Sequence, residues 1–375
     1  MIIYLASFFL SAGFLYLGER SKSKIQYRIY VFMALLIVSL LAGLRGATVG
    51  TDVITYGIGF YNRAVNAENF VLYFKQLASY GITDFSYIIL NFILARISKD
   101  YHLGLFFYSL ITYSSFYFGL KRYKSRFDTP IWLGMLLFYF VQYNLSLNAM
   151  RQMMAVSMVF LASSYLFEKN YKYFFVLFIL AFGFHSSGLI GIVVLGLYIV
   201  LRSGRNTSIN KQIVQASFIV FGVGITFLVG PKVIRMLVSM GIFRENYLNY
   251  LSGGSYDSGA YLSGWSILPQ FIYLFLALFF YGRINKRKME PLLMSTFCVL
   301  SFLSSFGTLI SVYFNRIGYY FVPFEMTYLA TVSVCFSRKS KKIWAWILVL
   351  IVSIFWIHDI ALMNYNETLP YVFMN

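Results

Sequence analysis

The stretch that decides the fold is residues 121–172, KRYKSRFDTPIWLGMLLFYFVQYNLSLNAMRQMMAVSMVFLASSYLFEKNYK. Two apolar runs, 128–146 and 149–167, meet at a short polar junction and are flanked by basic residues. A helix of about 20 apolar residues crosses the ~30 Å of hydrocarbon in a bilayer. The stretch therefore predicts a hairpin of two membrane spans whose two free ends lie on the side that carries the lysines and arginines.

Similar apolar runs recur along the whole chain. Of its 375 residues, 59% are hydrophobic and 12% are charged, which is about half the charged fraction of a soluble domain. The remaining predicted spans lie near 2–18, 29–45, 102–120, 212–230, 267–282, 291–309, 316–336 and 343–360. We expect an all-α polytopic membrane protein, a single domain over 1–375, with about 11–12 transmembrane helices.

The positions of the basic residues explain the net charge of +18. Six short clusters between apolar runs contain 21 of the 31 Lys and Arg residues. They are Arg20, Lys22, Lys24, Arg28; Lys121, Arg122, Lys124, Arg126; Lys169, Lys172; Arg202, Arg205, Lys211; Arg283, Lys286, Arg287, Lys288; and Arg338, Lys339, Lys341, Lys342. The positive-inside rule predicts that these loops face the cytoplasm. The basic balance therefore indicates topology, and nucleic acid is not expected as a partner.

The first span reads as an uncleaved anchor, because its positive charges follow the apolar run. Two extracytoplasmic loops are predicted, about 45–101 and 231–266. The first contains the short apolar segment 84–98, which we expect along the outer interface. The second contains the flexible, lid-like run SGGSYDSG at 252–259. Loops of this length are uncommon unless they are functional.

Residues 173–201 run between two basic clusters, so a single crossing would break the alternation of sides. Two shorter helices that break near His185-Ser186-Ser187-Gly188 restore it. Irregular backbone at membrane depth is tolerated where it lines a watery cavity. His185 and Ser186 are therefore candidate site residues, although a lone histidine in an apolar run is often a hydrogen-bonded core residue.

Two polar junctions at predicted outer helix ends carry charge. The first is Arg45-Gly46-Ala47-Thr48-Val49-Gly50-Thr51-Asp52 with Tyr56, which can bind a ligand or close a helix end through an Arg–Asp pair. The second is Asn148-Ala149-Met150-Arg151-Gln152. The helix dipole disfavours arginine near a helix N-terminus, so we expect a ligand phosphate or an acidic side chain to offset Arg151. The alternative is an arginine that snorkels to the interface.

Two further groups lie in the last third of the sequence. Arg316 and Tyr320 have the i, i+4 spacing of one helix face, beside Tyr319, and Glu325 follows in the same predicted span. Glu325 is expected to orient an arginine, or else to form a structural ion pair. The second predicted loop carries three basic residues, Lys232, Arg235 and Arg244. We expect them either to contact phosphate or sugar or to form a solvated basic face.

Arginines from three separate spans are predicted to meet on the outer side: Arg45, Arg151 and Arg316. Guanidinium groups bind phosphate oxygens in pairs and stay charged at any accessible pH. Such a cluster suits a diphosphate without a metal. Two cysteines and three histidines lack zinc-ligand spacing, so neither a metal nor a cofactor is expected.

At these positions the sequence resembles the EpsG family of Wzy-type polysaccharide polymerases. The resemblance rests on Leu44-Arg45-Gly46 with Val49-Gly50-Thr51-Asp52 and Tyr56, on 148–152 with Ala155, and on Ala181-Phe182-Gly183-Phe184-His185-Ser186-Ser187; Arg316, Tyr320 and Pro370-Tyr371 are weaker matches. It implies polymerisation of oligosaccharide repeats carried on undecaprenyl diphosphate, outside a bacterial cytoplasmic (inner) membrane. It also implies a helical bundle of the GT-C type.

The resemblance and the residues together suggest roles. Arg151 and Arg316 are predicted to stabilise the leaving diphosphate, with Arg45 assisting. His185 is the predicted general base, since the ordinary pKa of histidine is about 6.5, and Asp52 is the reserve. The predicted substrate-binding residues are Arg45, Thr51, Tyr56, Asn148, Gln152, Ser186, Arg235, Arg244, Tyr319, Tyr320 and Glu325.

Other classes fit parts of the pattern. A transporter or flippase of lipid-linked oligosaccharide also needs an arginine-lined cavity, but its charges should follow a path open to both faces. A transferase like the O-antigen ligases differs only in its acceptor, and a membrane acyltransferase would need a cytoplasmic thioester entrance. The expected partners are the lipid-linked oligosaccharide, the lipid bilayer and a chain-length regulator protein, with the active site facing the periplasm or cell exterior.

Overall fold

The computed structural model describes residues 1–203, 209–240, 248, 264–286, 290–309 and 312–374. Within these ranges the chain is helical apart from turns and one isolated bridge between Arg45 and Phe373. The helices are α1 Ile2–Arg20, α2 Lys24–Gly43, α3 Phe60–Asn66, α4 Phe70–Ser79, α5 Phe85–Ile97, α6 His102–Phe127, α7 Ile131–Asn148, α8 Met150–Leu166, α9 Tyr171–Phe184, α10 Ile190–Ser203, α11 Ile209–Ser239, α12 Gly264–Phe279, α13 Tyr281–Lys286, α14 Pro291–Ser305, α15 Val312–Gly318, α16 Val322–Val332 and α17 Arg338–Trp356.

Four of the described helical segments are long and apolar enough to cross a membrane: Ile2–Arg20, Lys24–Gly43, His102–Phe127 and Arg338–Leu362. Six shorter apolar helices accompany them. The protein is an all-α polytopic membrane protein, as its sequence predicts. The predicted break is confirmed, since α9 ends at Phe184 and a 3₁₀ turn, Ser186–Leu189, precedes α10.

The chain divides into two compact units. The first contains Met1–Gly191 and Phe336–Asn375, and the second contains Ile192–Cys335. Helix α7 is the centre of the first unit, because fifteen of its eighteen residues are buried. A helix that is buried all round needs neighbours on every side. Helices α1, α6, α8 and α17 supply them.

One end of the first unit gathers the basic clusters. The Glu19 carboxylate, at the end of α1, accepts hydrogen bonds from Lys124 Nζ (2.6 Å) and from the backbone N–H of Ile131 (3.1 Å). Arg122 pairs with Glu168, which follows α8. The ends of α1, α6 and α8 and the start of α7 therefore share one end, as the charge pattern predicts.

The C-terminal segment closes the opposite end. The backbone N–H of Gly46 donates to the carbonyl of Val372, and that of Met374 donates to Leu44, both at 2.8 Å. Asn144 Nδ2, near the end of α7, donates to Thr368 Oγ1 (2.8 Å). The segment 364–374 thus joins the ends of α2 and α7.

The first predicted outer loop, 45–101, is largely helical. A π-helix, Val53–Gly59, leads into α3, and α4 and α5 follow. The side chain of Asn69 caps α4 by accepting a hydrogen bond from the backbone N–H of Leu72 (3.0 Å). These helices are too short to be stable alone, so tertiary contacts give them their stability.

The second predicted loop, 231–266, starts within a helix. Helix α11 continues through Pro231 to Ser239, so Lys232 and Arg235 lie on a helix and both are exposed. Arg244 and the lid-like run 252–259 lie outside the described residues.

The prediction that Arg316 and Tyr320 share one helix face is wrong. Helix α15 ends at Gly318 and α16 begins at Val322, so Arg316 lies on a helix and Tyr320 lies in the turn that follows it. Pro323 in the first turn of α16 explains the new start, because its fixed φ and missing N–H suit a helix N-terminus. A Cβ on residue 318 would lie 2.0 Å from Ser304 Oγ, so glycine at this position allows the turn to pack closely against α14.

The two ends of the first unit predict a labelling pattern. Thr51 lies at the end with the C-terminal segment and Ser125 at the basic end, and both are exposed. In a background without Cys298 and Cys335, a cysteine at position 51 should react with a membrane-impermeant maleimide on intact cells. A cysteine at position 125 should react only after permeabilisation, since basic loops face the cytoplasm. Equal reactivity of both positions on intact cells would contradict the topology.

Candidate active site

An ion pair between Arg151 and Asp84 lies at the centre of the candidate site. Arg151 Nη1 donates to Asp84 Oδ2, and the two side chains are 12% and 11% exposed. Arg151 belongs to the first turn of α8, where the helix dipole opposes its charge, and Asp84 directly precedes α5. The sequence predicts an anionic partner for Arg151, and Asp84 is that partner.

Asp84 also ties the helix break to this pair. Its carboxylate accepts a hydrogen bond from the backbone N–H of Ser186. A Cβ at Gly183 would lie 2.2 Å from Ser86 Oγ, so glycine permits the close approach of α9 to the start of α5. Burial raises the pKa of Asp84 above its ordinary value, and the Arg151 guanidinium opposes that shift only in part.

Two tyrosines hold the guanidinium of Arg151 in place. Its Cζ lies 4.2 Å from the ring centroid of Tyr56 and 5.6 Å from that of Tyr87. The hydroxyl of Tyr87 donates to the carbonyl of Tyr56, which fixes the π-helix beside α5. Cation–π contacts of this kind stabilise a partly desolvated arginine and restrict its orientation.

The junction before α8 contacts the loop after α2. Thr51 Oγ1 donates to Asn148 Oδ1 (3.4 Å), and Asn148 Nδ2 donates to the carbonyl of Asn366. Gly50 has a φ of +100°, and a Cβ there would lie 2.6 Å from Asn148 Oδ1. Only glycine fits this approach without strain. Thr51 is exposed, Asp52 is half-buried, and Asn148 and Gln152 are buried.

The side chain of Arg45 is buried in the first unit. It is 1% exposed, and its guanidinium donates to the carbonyls of Ala42 (2.7 Å) and Leu147 (2.9 Å). Among the described residues no carboxylate pairs with it, so the alternative of an Arg45–Asp52 pair is wrong. Arg45 instead joins the end of α2 to the end of α7, one turn before Arg151.

His185 caps the break after α9. The backbone N–H of Ser187 donates to His185 Nδ1 (3.2 Å), and Ser187 Oγ lies 2.7 Å from the same nitrogen. Because a backbone amide can only donate, Nδ1 is unprotonated, and the neutral ring carries its proton on Nε2. In this arrangement Nε2 is a hydrogen-bond donor.

The remaining predicted residues belong to the second unit. Arg316 and Tyr319 are half-buried, and Tyr320 is fully buried. Glu325 is also fully buried, and its Oε2 accepts a hydrogen bond from Ser301 Oγ on α14 (3.0 Å). Within the described residues it pairs with no arginine, because α16 directs it at α14. That Glu325 orients an arginine stays a prediction. The meeting of Arg316 with Arg151 stays a prediction.

The sequence predictions did not include Asp84 and Tyr87. Asp84 begins a short apolar segment, and an acidic residue in such a position is a functional candidate by default. Tyr87 carries no signal in sequence, because its role depends on its hydroxyl reaching the carbonyl of Tyr56. Among the described residues no three His, Cys, Asp or Glu side chains gather as a metal site.

The fold defines a polytopic membrane protein, and its candidate site, charged and lined by aromatic rings, lies in the first unit at the end away from that unit's basic clusters. The chain belongs to the EpsG family, whose profile matches residues 4–373. Membership implies a polysaccharide-polymerase-like, glycosyltransferase-type role in exopolysaccharide biosynthesis. No curated protein and no solved structure gives a significant match to the chain.

The Arg151–Asp84 pair predicts strong energetic coupling. Arg151→Met and Asp84→Leu should each lower the free energy of unfolding by about 3–5 kcal/mol, because each leaves a buried charge without a partner. The double variant should lose much less than the sum of the two. Reversible unfolding in mixed micelles measures all four proteins.

The more exposed pair of Arg122 and Glu168 is the matched control, with side chains 24% and 54% exposed. Arg122→Met should lower the free energy of unfolding by less than about 1 kcal/mol. Additive losses at positions 84 and 151 would mean that this ion pair does not hold the site together.

Proposed function

We propose that the protein is a glycosyltransferase that joins oligosaccharide repeats carried on undecaprenyl diphosphate. The observation that supports this most is the cluster of Arg151, Asp84, Tyr56 and the His185–Ser186 break, which brings residues of three family-like motifs together. A diphosphate leaving group needs fixed positive charge, and an acceptor hydroxyl needs a nearby base. The cluster offers both.

Arg151 is the residue proposed to stabilise the diphosphate leaving group. One of its terminal nitrogens pairs with Asp84, and the rest of the guanidinium can donate to phosphate oxygens. As the bond between the anomeric carbon and the diphosphate oxygen breaks, the electron pair stays on that oxygen. Arg151, with Arg316 as the second predicted cation, stabilises the added charge, so the reaction is proposed to be metal-independent.

Asp84 is proposed as the general base that accepts the proton of the acceptor hydroxyl. The hydroxyl oxygen bonds to the anomeric carbon while its proton passes to the carboxylate. A carboxylate with a raised pKa is a better base near neutral pH. The His185 tautomer supports a different role from the general base predicted from sequence, since Nε2–H can donate to a diphosphate oxygen. Asp52 stays the reserve base.

The proposed location is the bacterial cytoplasmic membrane, with the cluster facing the periplasm or cell exterior. The basic clusters lie at the other end of the first unit, which supports this orientation by the positive-inside rule. A lipid diphosphate embedded in the outer leaflet would then present its sugar near the membrane surface. A chain-length regulator is proposed as a partner protein.

A reconstituted reaction tests the function. Purified protein in lipid nanodiscs should convert a synthetic undecaprenyl-diphosphate repeat into a ladder of longer products, and an added chelator should not stop it. Arg151→Lys should reduce the rate by about 10²–10³-fold, because an ammonium cannot replace the paired donors of a guanidinium. Mass spectrometry of the lipid products measures both.

Transfer of the intact lipid-linked repeat between leaflets without a ladder would indicate a flippase instead. A ladder that disappears with chelator and returns with Mg²⁺ would contradict metal independence while leaving the polymerase intact.

The raised pKa of Asp84 predicts the acidic limb of the pH profile. Asp84 must be deprotonated to accept a proton, so activity should fall as the pH drops through its raised pKa. This fall should begin at a higher pH than an ordinary aspartate would give. Asp84→Asn should reduce kcat by about 10²–10⁴-fold and remove the limb. If His185→Gln rather than Asp84→Asn removes the limb, His185 is the base.

A further inference from the structure

A row of aromatic side chains leads from Arg151 to the surface of the first unit. The Tyr56 ring, which lies against Arg151, is 5.3 Å from the Phe60 ring, and Phe60 is 6.3 Å from Tyr80, all between ring centroids. Tyr56 is half-buried, Phe60 is 5% exposed and Tyr80 is 57% exposed, so the row reaches the surface at Tyr80. We name Tyr56, Phe60, Tyr80 and the adjoining Arg63 the outer aromatic row.

Arg63 fixes the exposed end of the row. Its Cζ lies 4.5 Å from the Tyr80 ring centroid and 5.5 Å from that of Phe60. Its Nη2 donates to the Tyr80 hydroxyl (3.2 Å), and its Nη1 donates to the carbonyl of Gly59 (3.1 Å). No described carboxylate pairs with Arg63, so its charge is balanced only by rings and neutral oxygens.

Hydrogen bonds fix the backbone at Phe60 and Tyr80. The hydroxyl of Tyr73, which is fully buried on α4, donates to the carbonyl of Phe60 (3.1 Å). Tyr80 follows α4, and its backbone N–H donates to the carbonyl of Leu77 (3.0 Å). A large exposed ring on a fixed backbone can bind a ligand without a large loss of conformational freedom.

We propose that Tyr80 and Arg63 form a saccharide subsite for the repeat unit, next to the candidate active site. This inference rests on the proposed function and deepens it. The apolar C–H face of a pyranose packs on an aromatic ring, while its hydroxyls accept hydrogen bonds from guanidinium N–H groups. The row supplies both kinds of contact outward from Arg151, in the direction that a repeat of several sugars would extend.

The subsite binds sugars away from the bond that is made. It therefore strengthens binding of the repeat without stabilising the transition state, and such an interaction changes KM rather than kcat. Tyr80→Ala should raise KM for the lipid-linked repeat about tenfold and leave kcat within about twofold. Tyr80→Trp, which keeps a ring, should retain most of the affinity. A donor that carries one sugar should not respond to either change.

Two binding probes separate this subsite from the diphosphate site. Oligosaccharide fragments of the polysaccharide made by cells that carry the protein should give saturation-transfer NMR signals with wild-type nanodiscs. Tyr80→Ala should weaken this binding about tenfold and leave binding of inorganic pyrophosphate unchanged. Tyr171→Ala is the control, because Tyr171 is 42% exposed but lies at the basic end.

The outcomes distinguish the two proposals. If wild-type protein binds the fragments through Tyr80 but makes no ladder, the subsite stands and the proposed function fails. If a ladder forms and Tyr80→Ala changes neither KM nor fragment binding, the subsite is overturned. Loss of fragment binding in Tyr171→Ala to the same degree would also overturn it.

Discussion

The site depends on the meeting of one positive and one negative side chain that are distant in sequence. Arg151 begins α8 and Asp84 precedes α5, and neither charge is well solvated. A charge with little access to water is tolerated only with a partner, so the pair constrains where α5 and α8 can begin. The backbone of Ser186 joins the same carboxylate, which brings the break after α9 into the arrangement. This constraint gives the candidate site a defined geometry.

A second buried cation stabilises the same region in another way. Arg45 has backbone carbonyls as partners and tyrosines around it, among them Tyr4, Tyr113 and Tyr143. Such a group fixes the backbone that it contacts, because moving it would leave both the cation and the carbonyls unsatisfied. Arg45 therefore positions the loop with Thr51 and the start of α8. The two arginines of the family-like motifs have separate tasks, one at the surface of the site and one below it.

Much of this arrangement follows from sequence, and the rest does not. The apolar runs predicted helices, the basic clusters predicted which helix ends of the first unit meet, and the alternation of sides predicted the break at His185. Those signals are local or additive along the chain. The partner of Arg151, the inward direction of Arg45 and the separation of Arg316 from Tyr320 depend on how helices turn against one another. The turn between α15 and α16 lies between Gly318 and Pro323, but the aromatic and apolar run 319–322 between them resembles continuous helix in sequence.

The C-terminal segment carries a consequence for how the molecule is made. Residues 364–374 hold the loop after α2 and the end of α7 together, yet the ribosome delivers them after every helix described here. A nascent chain with its helices already inserted still lacks this clasp, and its segment must first follow α17 across the bilayer. The loop after α2 and the end of α7 are therefore joined only after α17 has been made, long after both of them have left the ribosome.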